Sequence, residues 1–242
     1  MNGEARGFVC GFGDVEAGLG GLAWDLGEPG ALLLSKGEVR RASFALEQDL
    51  ETVTVEITAE ADTVEATLAP QRTLIDHPDA ENPVEFKATA SLAEVRPKGG
   101  GQTVECAGQI SEWIGDPLEG AAVLRHLSIG GAPGSQVVAI ARRPSGGDGH
   151  GSERAGGWML TGDSGHPYDE TLISTQYDGA GDPTRIGLEL WPEDADQSSR
   201  AGATRVSGTL LGGLRAGAFW AGLFHCHTDG TEGLGSYLLW RA

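Results

Sequence analysis

Residues 51–58 read Glu-Thr-Val-Thr-Val-Glu-Ile-Thr, and from Thr52 onward polar and apolar side chains alternate. Successive side chains of a β-strand point to opposite faces, so the three apolar residues of this run share one face. This period of two predicts a strand that is buried on one side and exposed to solvent on the other. Asp62 marks the expected turn, and residues 63–68 predict the returning strand of a hairpin.

Short runs of the same kind recur along the chain and predict an all-β protein. Breaks rich in glycine, proline or aspartate separate them, and the 242 residues include 39 Gly and 11 Pro. Few windows sustain an apolar repeat of period 3.6 over the length of a helix. Many short strands with frequent turns are typical of antiparallel barrels and sandwiches. The runs are 30–35, 38–46, 84–95, 102–113, 135–142, 170–177, 184–191, 203–211, 217–227 and 232–240.

A break at residues 114–121 contains Gly115, Asp116, Pro117 and Gly120 and is the best candidate boundary within the chain. It divides the sequence into two β-rich halves of similar length. We therefore predict two packed halves, residues 1–116 and residues 117–242, and one continuous β domain is the alternative. A chain of this length can bury a substantial core in either arrangement.

The charge of the chain disfavours two classes of partner. The sequence has 35 acidic and 17 basic residues, a formal net charge of -18. Binding to nucleic acid or to an anionic membrane surface relies on positive charge, so we expect neither partner. No apolar run of signal-peptide or membrane-span length occurs, and three cysteines do not form a disulfide framework. A cytoplasmic protein is the expectation from these features.

The segment 224–233 concentrates the chemistry-bearing side chains of the sequence. His225 and His227 are two residues apart and would share one face of a strand, and an Asp-Gly turn could return Glu232 beside them. Three readings stay open. The pair could act in general acid/base catalysis, it could begin a metal site with Glu232, or it could be structural.

A second candidate lies in the predicted hairpin 169–191, which turns at Asp178-Gly179. On its returning strand Glu189 shares a face with Trp191, opposite the face that carries Ile186, Leu188 and Leu190. A carboxylate beside an indole could line a ligand cavity, where desolvation would raise its pKa into a range useful for proton transfer. The alternative is a solvent-facing glutamate paired with Arg185. The aromatic residues predicted to line such a cavity are Tyr177, Trp191 and Trp220.

Other familiar catalytic signatures do not occur in the sequence. There is no Gly-x-Ser-x-Gly motif, dinucleotide fingerprint or phosphate-binding loop, so we expect no organic cofactor. Cys226 lies between the two histidines in sequence but would point to the opposite strand face. His126 comes with no partner that the sequence identifies.

Three stretches resemble the C-terminal half of proteins related to carotenoid hydratase and the AttH-like group. They read Leu-Ile-Ser-Thr-Gln-Tyr-Asp at 172–178, Ile-Gly-Leu-Glu-Leu-Trp at 186–191 and Gly-Thr-Glu-Gly-Leu-Gly-Ser-Tyr at 230–237. In that group two lipocalin-like barrels pack together. Some members hydrate isoprenoid double bonds, and others resemble cyclases for polyketide or terpenoid intermediates. The resemblance implies an antiparallel, lipocalin-like fold and a small hydrophobic partner.

These observations lead to one hypothesis and two rivals. The leading hypothesis is an isomerase, cyclase or hydro-lyase that uses no cofactor and acts by general acid/base catalysis in a barrel cavity. His225, His227 and Glu189 are its candidate acids and bases. One rival is a noncatalytic binding protein for an apolar ligand. The other is a metal-dependent β-barrel enzyme that uses His225, His227 and Glu232.

Overall fold

The structure is all-β, as the sequence predicts. It is a computed structural model that describes residues 6–14, 16–49, 51–76, 85–130, 135–147, 149–161, 164–168, 170–192, 197–214, 217–228 and 230–242. These residues form seventeen strands and one short 3-10 helix, arranged in two antiparallel sheets. Within the same ranges, no helix has the length and apolar character needed to cross a bilayer.

The first eight strands form a closed antiparallel barrel. Each strand pairs with the next one along the chain, and the eighth pairs back with the first. Closure of this kind leaves no exposed edge strand in the sheet. The strands are β1 (Arg6–Asp14), β2 (Leu19–Asp25), β3 (Pro29–Ser35), β4 (Glu38–Gln48), β5 (Val53–Ala59), β6 (Asp62–Asp76), β7 (Glu85–Pro97) and β8 (Val104–Ile114).

The remaining nine strands form a second barrel that is nearly closed. They are β9 (Ala121–Gly130), β10 (Ser135–Pro144), β11 (Arg154–Thr161), β12 (Ser164–Tyr168), β13 (Glu170–Tyr177), β14 (Pro183–Trp191), β15 (Ser199–Leu214), β16 (Gly217–Thr228) and β17 (Thr231–Arg241). The 3-10 helix, Gly149–Ser152, precedes β11. The spatial order is β12-β11-β10-β9-β17-β16-β15-β14-β13, so β12 and β13 are the two edges of the sheet.

The two edges of the second sheet approach one another without pairing. Among the described residues no backbone ladder joins β12 to β13, although β11 contacts β13 across the gap. We call this side of the second barrel, between β11 and β13, the seam. The predicted architecture of two packed, antiparallel, lipocalin-like barrels is confirmed.

The hairpin that decided the fold in the sequence is formed by β5 and β6. The apolar side chains of β5 are buried and its polar side chains are half-buried, in the predicted alternation. The turn consists of Glu60 and Ala61 and not of Asp62, because Glu60 adopts the positive φ (52°) that two-residue hairpin turns require. Asp62 begins β6 instead, and its carboxylate accepts a hydrogen bond from Arg40.

Strand alternation divides the apolar side chains among three buried layers. One layer fills the first barrel, one fills the second, and the third lies between the barrels. On β9, Val123 and Leu127 contribute to the interior of the second barrel, whereas Leu124 contributes to the layer between the barrels. Strands at the interface therefore have two buried faces, and nearly every residue of β9 is buried.

Aromatic side chains dominate the layer between the barrels. Phe86 of the first barrel lies between two buried indoles, with centroid distances of 5.1 Å to Trp113 and 5.4 Å to Trp158. Trp24 and Phe219 form a second contact between the barrels at 5.7 Å. Burial of each such side chain contributes roughly 1.5–3 kcal/mol, so this layer holds the two barrels together.

A small polar cluster is enclosed in the same interface. The Ser111 hydroxyl of the first barrel lies 2.9 Å from Nε2 of His126 in the second barrel, and the Gln109 amide donates to Ser111. Gln136 donates to the Ser91 carbonyl oxygen at 2.7 Å, which adds a second polar link between the barrels. Burial lowers the pKa of His126 to about 3, so the imidazole is neutral in the folded protein at neutral pH.

The buried imidazole predicts a specific loss of stability in mild acid. The folded-state pKa of His126 is depressed to about 3, so the unfolded chain binds the proton first. The free energy of unfolding should therefore fall by about 2 kcal/mol from pH 7.5 to pH 5 on account of this one group. Urea unfolding at a series of pH values measures the slope.

His126→Gln should remove that part of the slope, whereas His227→Gln on the exposed surface should keep it. The His126 ring resonances of the wild-type protein give a second measurement, and they should not titrate above pH 5. Equal slopes for the wild-type and His126→Gln proteins, or a ring that titrates near pH 6.5, would contradict the prediction.

Candidate functional site

The interior of the first barrel opens at one end into a cavity of about 410 Å³. The end in question is the one at which β1, β5 and β7 begin and β2, β4 and β8 finish. Small closed barrels are filled by side chains deeper inside, so a cavity at the mouth is the natural place for a small ligand. The lining residues are Gly7, Phe8, Asp25, Phe44, Leu46, Gln48, Val53, Pro70, Lys87, Thr89, Ile110 and Glu112.

One wall of this cavity is apolar. The rings of Phe8 and Phe44 are stacked with their centroids 6.3 Å apart. Leu46 is 38% exposed, while Val53 and Ile110 belong to the buried layer that fills the barrel. The wall therefore continues the core outward and offers partly exposed apolar surface to a ligand.

The adjoining wall carries charge, and Glu112 on this wall is the direct cross-strand neighbour of Phe8. Lys87 on β7 lies directly across from Glu112 on β8, and Nζ of the lysine is 3.7 Å from Oε2 of the glutamate. The two side chains are 41% and 30% exposed, so solvent screens their attraction. Thr89 is buried beside them, and Asp25 lies on the rim, where its carboxylate accepts a hydrogen bond from the Gly27 amide.

Strand phase explains why these charged groups lie inside the mouth. Glu112 lies on the same face of β8 as Cys106 and Ile110, which belong to the layer that fills the first barrel. Lys87 likewise lies on the same face of β7 as Ala93, which belongs to the same layer. A cation and a carboxylate beside an apolar wall can hold a polar group of a ligand and exchange protons with it. Sequence reasoning missed both residues, although charges in phase with buried positions are a signal that could have found them.

The two histidines of the tail are exposed on the outer face of the second barrel. Phe224 and Cys226 occupy the buried positions of β16, so His225 and His227 point outward. Glu232 pairs with His227 across the hairpin, and its Oε2 lies 3.4 Å from Nε2 of His225. Among the described residues no group of three or more His, Cys, Asp or Glu side chains is placed to hold a metal ion. The metal site considered for His225, His227 and Glu232 stays a prediction.

Glu189 also lies on the outer face. Ile186, Leu188 and Leu190 fill the inward positions of β14, which leaves Glu189 and Trp191 on the other side. The glutamate pairs with Arg200 of β15 at 3.4 Å and not with Arg185, because Arg200 is its direct cross-strand neighbour.

The aromatic candidates lie in different places. Trp220 is buried inside the second barrel, where its ring centroid is 5.8 Å from that of Phe224. Tyr177 is 40% exposed near the seam, and the Arg241 guanidinium lies 4.6 Å from its ring centroid. The structure does not gather the predicted catalytic and binding residues into one cavity. Their functional roles stay predictions.

Solved structures with the same two-barrel arrangement identify the fold. A candidate AttH protein from Nitrosomonas europaea superposes with a TM-score of 0.66, with 12% identity over 97% of this chain and 91% of that one. Kievitone hydratase from Nectria haematococca gives a TM-score of 0.64, with 8% identity over 99% and 89% of the two chains. The fold is that of the AttH-like proteins.

A third structure of this fold is CghA in complex with Sch210972, with a TM-score of 0.62 and 9% identity over 98% of this chain and 88% of that one. No protein-family model and no curated protein sequence matches the chain. The AttH-like resemblance noted in the sequence is thus confirmed as a likeness of fold. At these identities it assigns no residue role.

The cavity predicts a measurable binding site for an apolar probe. Phe44→Ala should weaken the binding of 1-aminoanthracene at least about fivefold, because it removes one of the two stacked rings of the apolar wall. Fluorescence titration measures the affinity. Trp191→Ala, which removes a half-buried ring from the outer face of the second barrel, is the matched control and should leave the affinity unchanged. No loss of affinity in the Phe44 variant, or a larger loss in the control variant, would show that the probe binds elsewhere.

Proposed function

We propose that this protein is a cofactor-independent isomerase, cyclase or hydro-lyase that acts on a small hydrophobic, terpenoid- or polyketide-like molecule in the mouth of the first barrel. The observation that carries the proposal is the pairing of Lys87 and Glu112 beside the Phe8–Phe44 wall in one cavity. Apolar lining with a few convergent polar groups is the usual composition of a small-molecule site.

The chemistry that fits this arrangement is proton transfer next to a carbonyl group. The Glu112 carboxylate removes a proton from the carbon beside the carbonyl, and the Lys87 ammonium hydrogen-bonds the enolate oxygen that develops. Return of the proton from Glu112 to another carbon gives isomerisation. Transfer of that proton to a departing β-hydroxyl gives water and a conjugated double bond, and the reverse direction is hydration.

The apolar wall would orient the substrate for this step. The stacked rings of Phe8 and Phe44 hold the hydrocarbon body, so the carbonyl end meets the charged wall. Holding the reacting groups in position lowers the entropic part of the barrier. The names of two proteins with the same fold, kievitone hydratase and CghA bound to Sch210972, support a small organic molecule as the ligand.

A noncatalytic binding protein is the second candidate. The observation in its favour is that Lys87 and Glu112 already face each other at 3.7 Å, so the two charges partly satisfy one another without a reacting substrate. Such a protein would bind the same molecules and release them unchanged. The two candidates therefore differ in turnover and not in ligand class.

The catalytic proposal predicts that 4-hydroxy-4-phenylbutan-2-one, a β-hydroxy ketone with an apolar ring, is dehydrated in the mouth of the first barrel. Glu112→Gln should lower the rate of enone formation at least about tenfold, because the amide cannot accept the proton. Lys87→Met should lower it as well, because the enolate loses its charged donor. NMR in deuterated buffer follows both the dehydration and the exchange of the proton beside the carbonyl.

Glu105→Gln is the matched control, since Glu105 lies on the same strand but is exposed on the outside. Its rate should equal that of the wild type. A wild-type protein that binds the ketone but leaves it unexchanged and undehydrated supports the binding protein and overturns catalysis. Equal rates for Glu105→Gln and Glu112→Gln would remove Glu112 from the mechanism.

A further inference from the structure

A second cleft, of about 420 Å³, lies at the seam of the second barrel. One of its sides is formed by Glu153 and Ala155 at the start of β11, and the other by residues 171–175 of β13. Gly157 permits the close approach of the two elements, because a Cβ at this position would lie 2.8 Å from the Thr171 hydroxyl. The cleft is on the opposite side of the interface from the mouth of the first barrel and shares no lining residue with it.

An enclosed ion pair forms the polar end of this cleft. Nη2 of Arg125 lies 3.2 Å from Oε2 of Glu153, and the two side chains are only 6% and 10% exposed. Arg125 also donates from Nη1 to the Ile173 carbonyl oxygen of the edge strand β13 at 3.0 Å. The guanidinium therefore extends from β9 to the seam and links its two sides.

The ion pair leaves hydrogen-bonding capacity unused. Nε of Arg125, Oε2 of Glu153 and the Thr171 hydroxyl are buried and have no hydrogen-bond partner among the described residues. The contact between Arg125 and Glu153 is thus a charge contact without the alignment of a hydrogen bond. A buried donor or acceptor left unsatisfied costs about 1–3 kcal/mol. Three such atoms beside one cleft indicate a binding site for a ligand that forms hydrogen bonds with them.

Stabilisation of the fold alone does not account for this ion pair, because both charges are desolvated. Enclosed ion pairs gain little net stability over apolar side chains of the same volume, because both charges lose their hydration. One hydrogen bond to the Ile173 carbonyl does not use a five-donor guanidinium fully. A ligand that satisfies the remaining groups would recover part of that cost.

We propose that this cleft binds a small neutral molecule that carries both a hydroxyl and a carbonyl group on a compact apolar body. The carbonyl accepts from the free N–H of Arg125, and the ligand hydroxyl donates to Glu153 and accepts from the Thr171 hydroxyl. Arg125 and Glu153 balance each other's charge, which favours a neutral head group over an ion. Ile173 and Tyr177 supply apolar surface for the body of the ligand.

Contact of the ligand with these buried atoms requires β13 to move. The unpartnered atoms belong to residues that line the cleft, and no ladder joins β13 to β12 among the described residues. An edge strand held on one side alone moves at lower cost than a strand within a sheet. The seam thus serves as the entrance to the site.

The proposal is tested with 4-hydroxyacetophenone, which has both groups, and with acetophenone and phenol, which have one each. The methyl resonance of Ile173 reports binding. 4-Hydroxyacetophenone should shift it saturably below about 10 mM, and each single-group probe should bind at least about fivefold more weakly. Absence of a saturable shift, or equal affinity for the three probes, would overturn the proposal.

Two variants separate ligand binding from a structural role. Ala155→Leu fills the cleft and should weaken the probe at least about tenfold. Thr171→Val removes an unsatisfied buried hydroxyl, so it should leave thermal stability equal or higher while it weakens the probe. Unchanged affinity in both variants would show that the probe does not occupy this cleft.

The second site is independent of the proposed catalytic site. Glu112→Gln in the first barrel should leave the Ile173 shift and the affinity for 4-hydroxyacetophenone unchanged. Loss of the shift in that variant would overturn a separate site at the seam. Conversely, an inactive first barrel with intact binding at the seam would overturn the catalytic proposal alone.

Discussion

The aromatic layer between the barrels is the interaction on which the rest of the structure depends. Phe86 lies between Trp113 and Trp158, so one first-barrel ring is packed against an indole from each barrel. The strands beneath this layer are buried on both faces and cannot expose either face without loss of apolar burial. Each barrel therefore completes the core of the other, and both cavities lie at positions that the interface leaves open.

The strands could be predicted from the sequence where one face is exposed to solvent and the other is buried. In β5 the alternation of Val53, Val55 and Ile57 with polar residues is visible in the sequence, and all three are buried. Interface strands such as β9 lose that alternation because both of their faces are buried. Their sequences therefore do not distinguish a strand from a buried helix. Their number and frequent turns still indicated an all-β chain.

The functional site was harder to predict, because strand periodicity shows which residues share a face but not which face is inside. His225 and His227 share a face, but Phe224 and Cys226 take the inward positions. Glu112 and Lys87 lie inside although charged, because they are at the rim, where an inward side chain still reaches solvent. Only the closure of the barrel pairs β8 with β1 and brings the end of β4 to the same mouth, and so creates the cavity.

The Ser111–His126 contact also restricts how the barrels can dock. Gln109 donates to Ser111, and the serine hydroxyl forms a hydrogen bond with Nε2 of His126 across the interface. Apolar contacts are non-directional, whereas this hydrogen bond requires Ser111 and His126 to face each other across the interface. The polar pair thus restricts the relative orientation of the two barrels within an otherwise apolar interface.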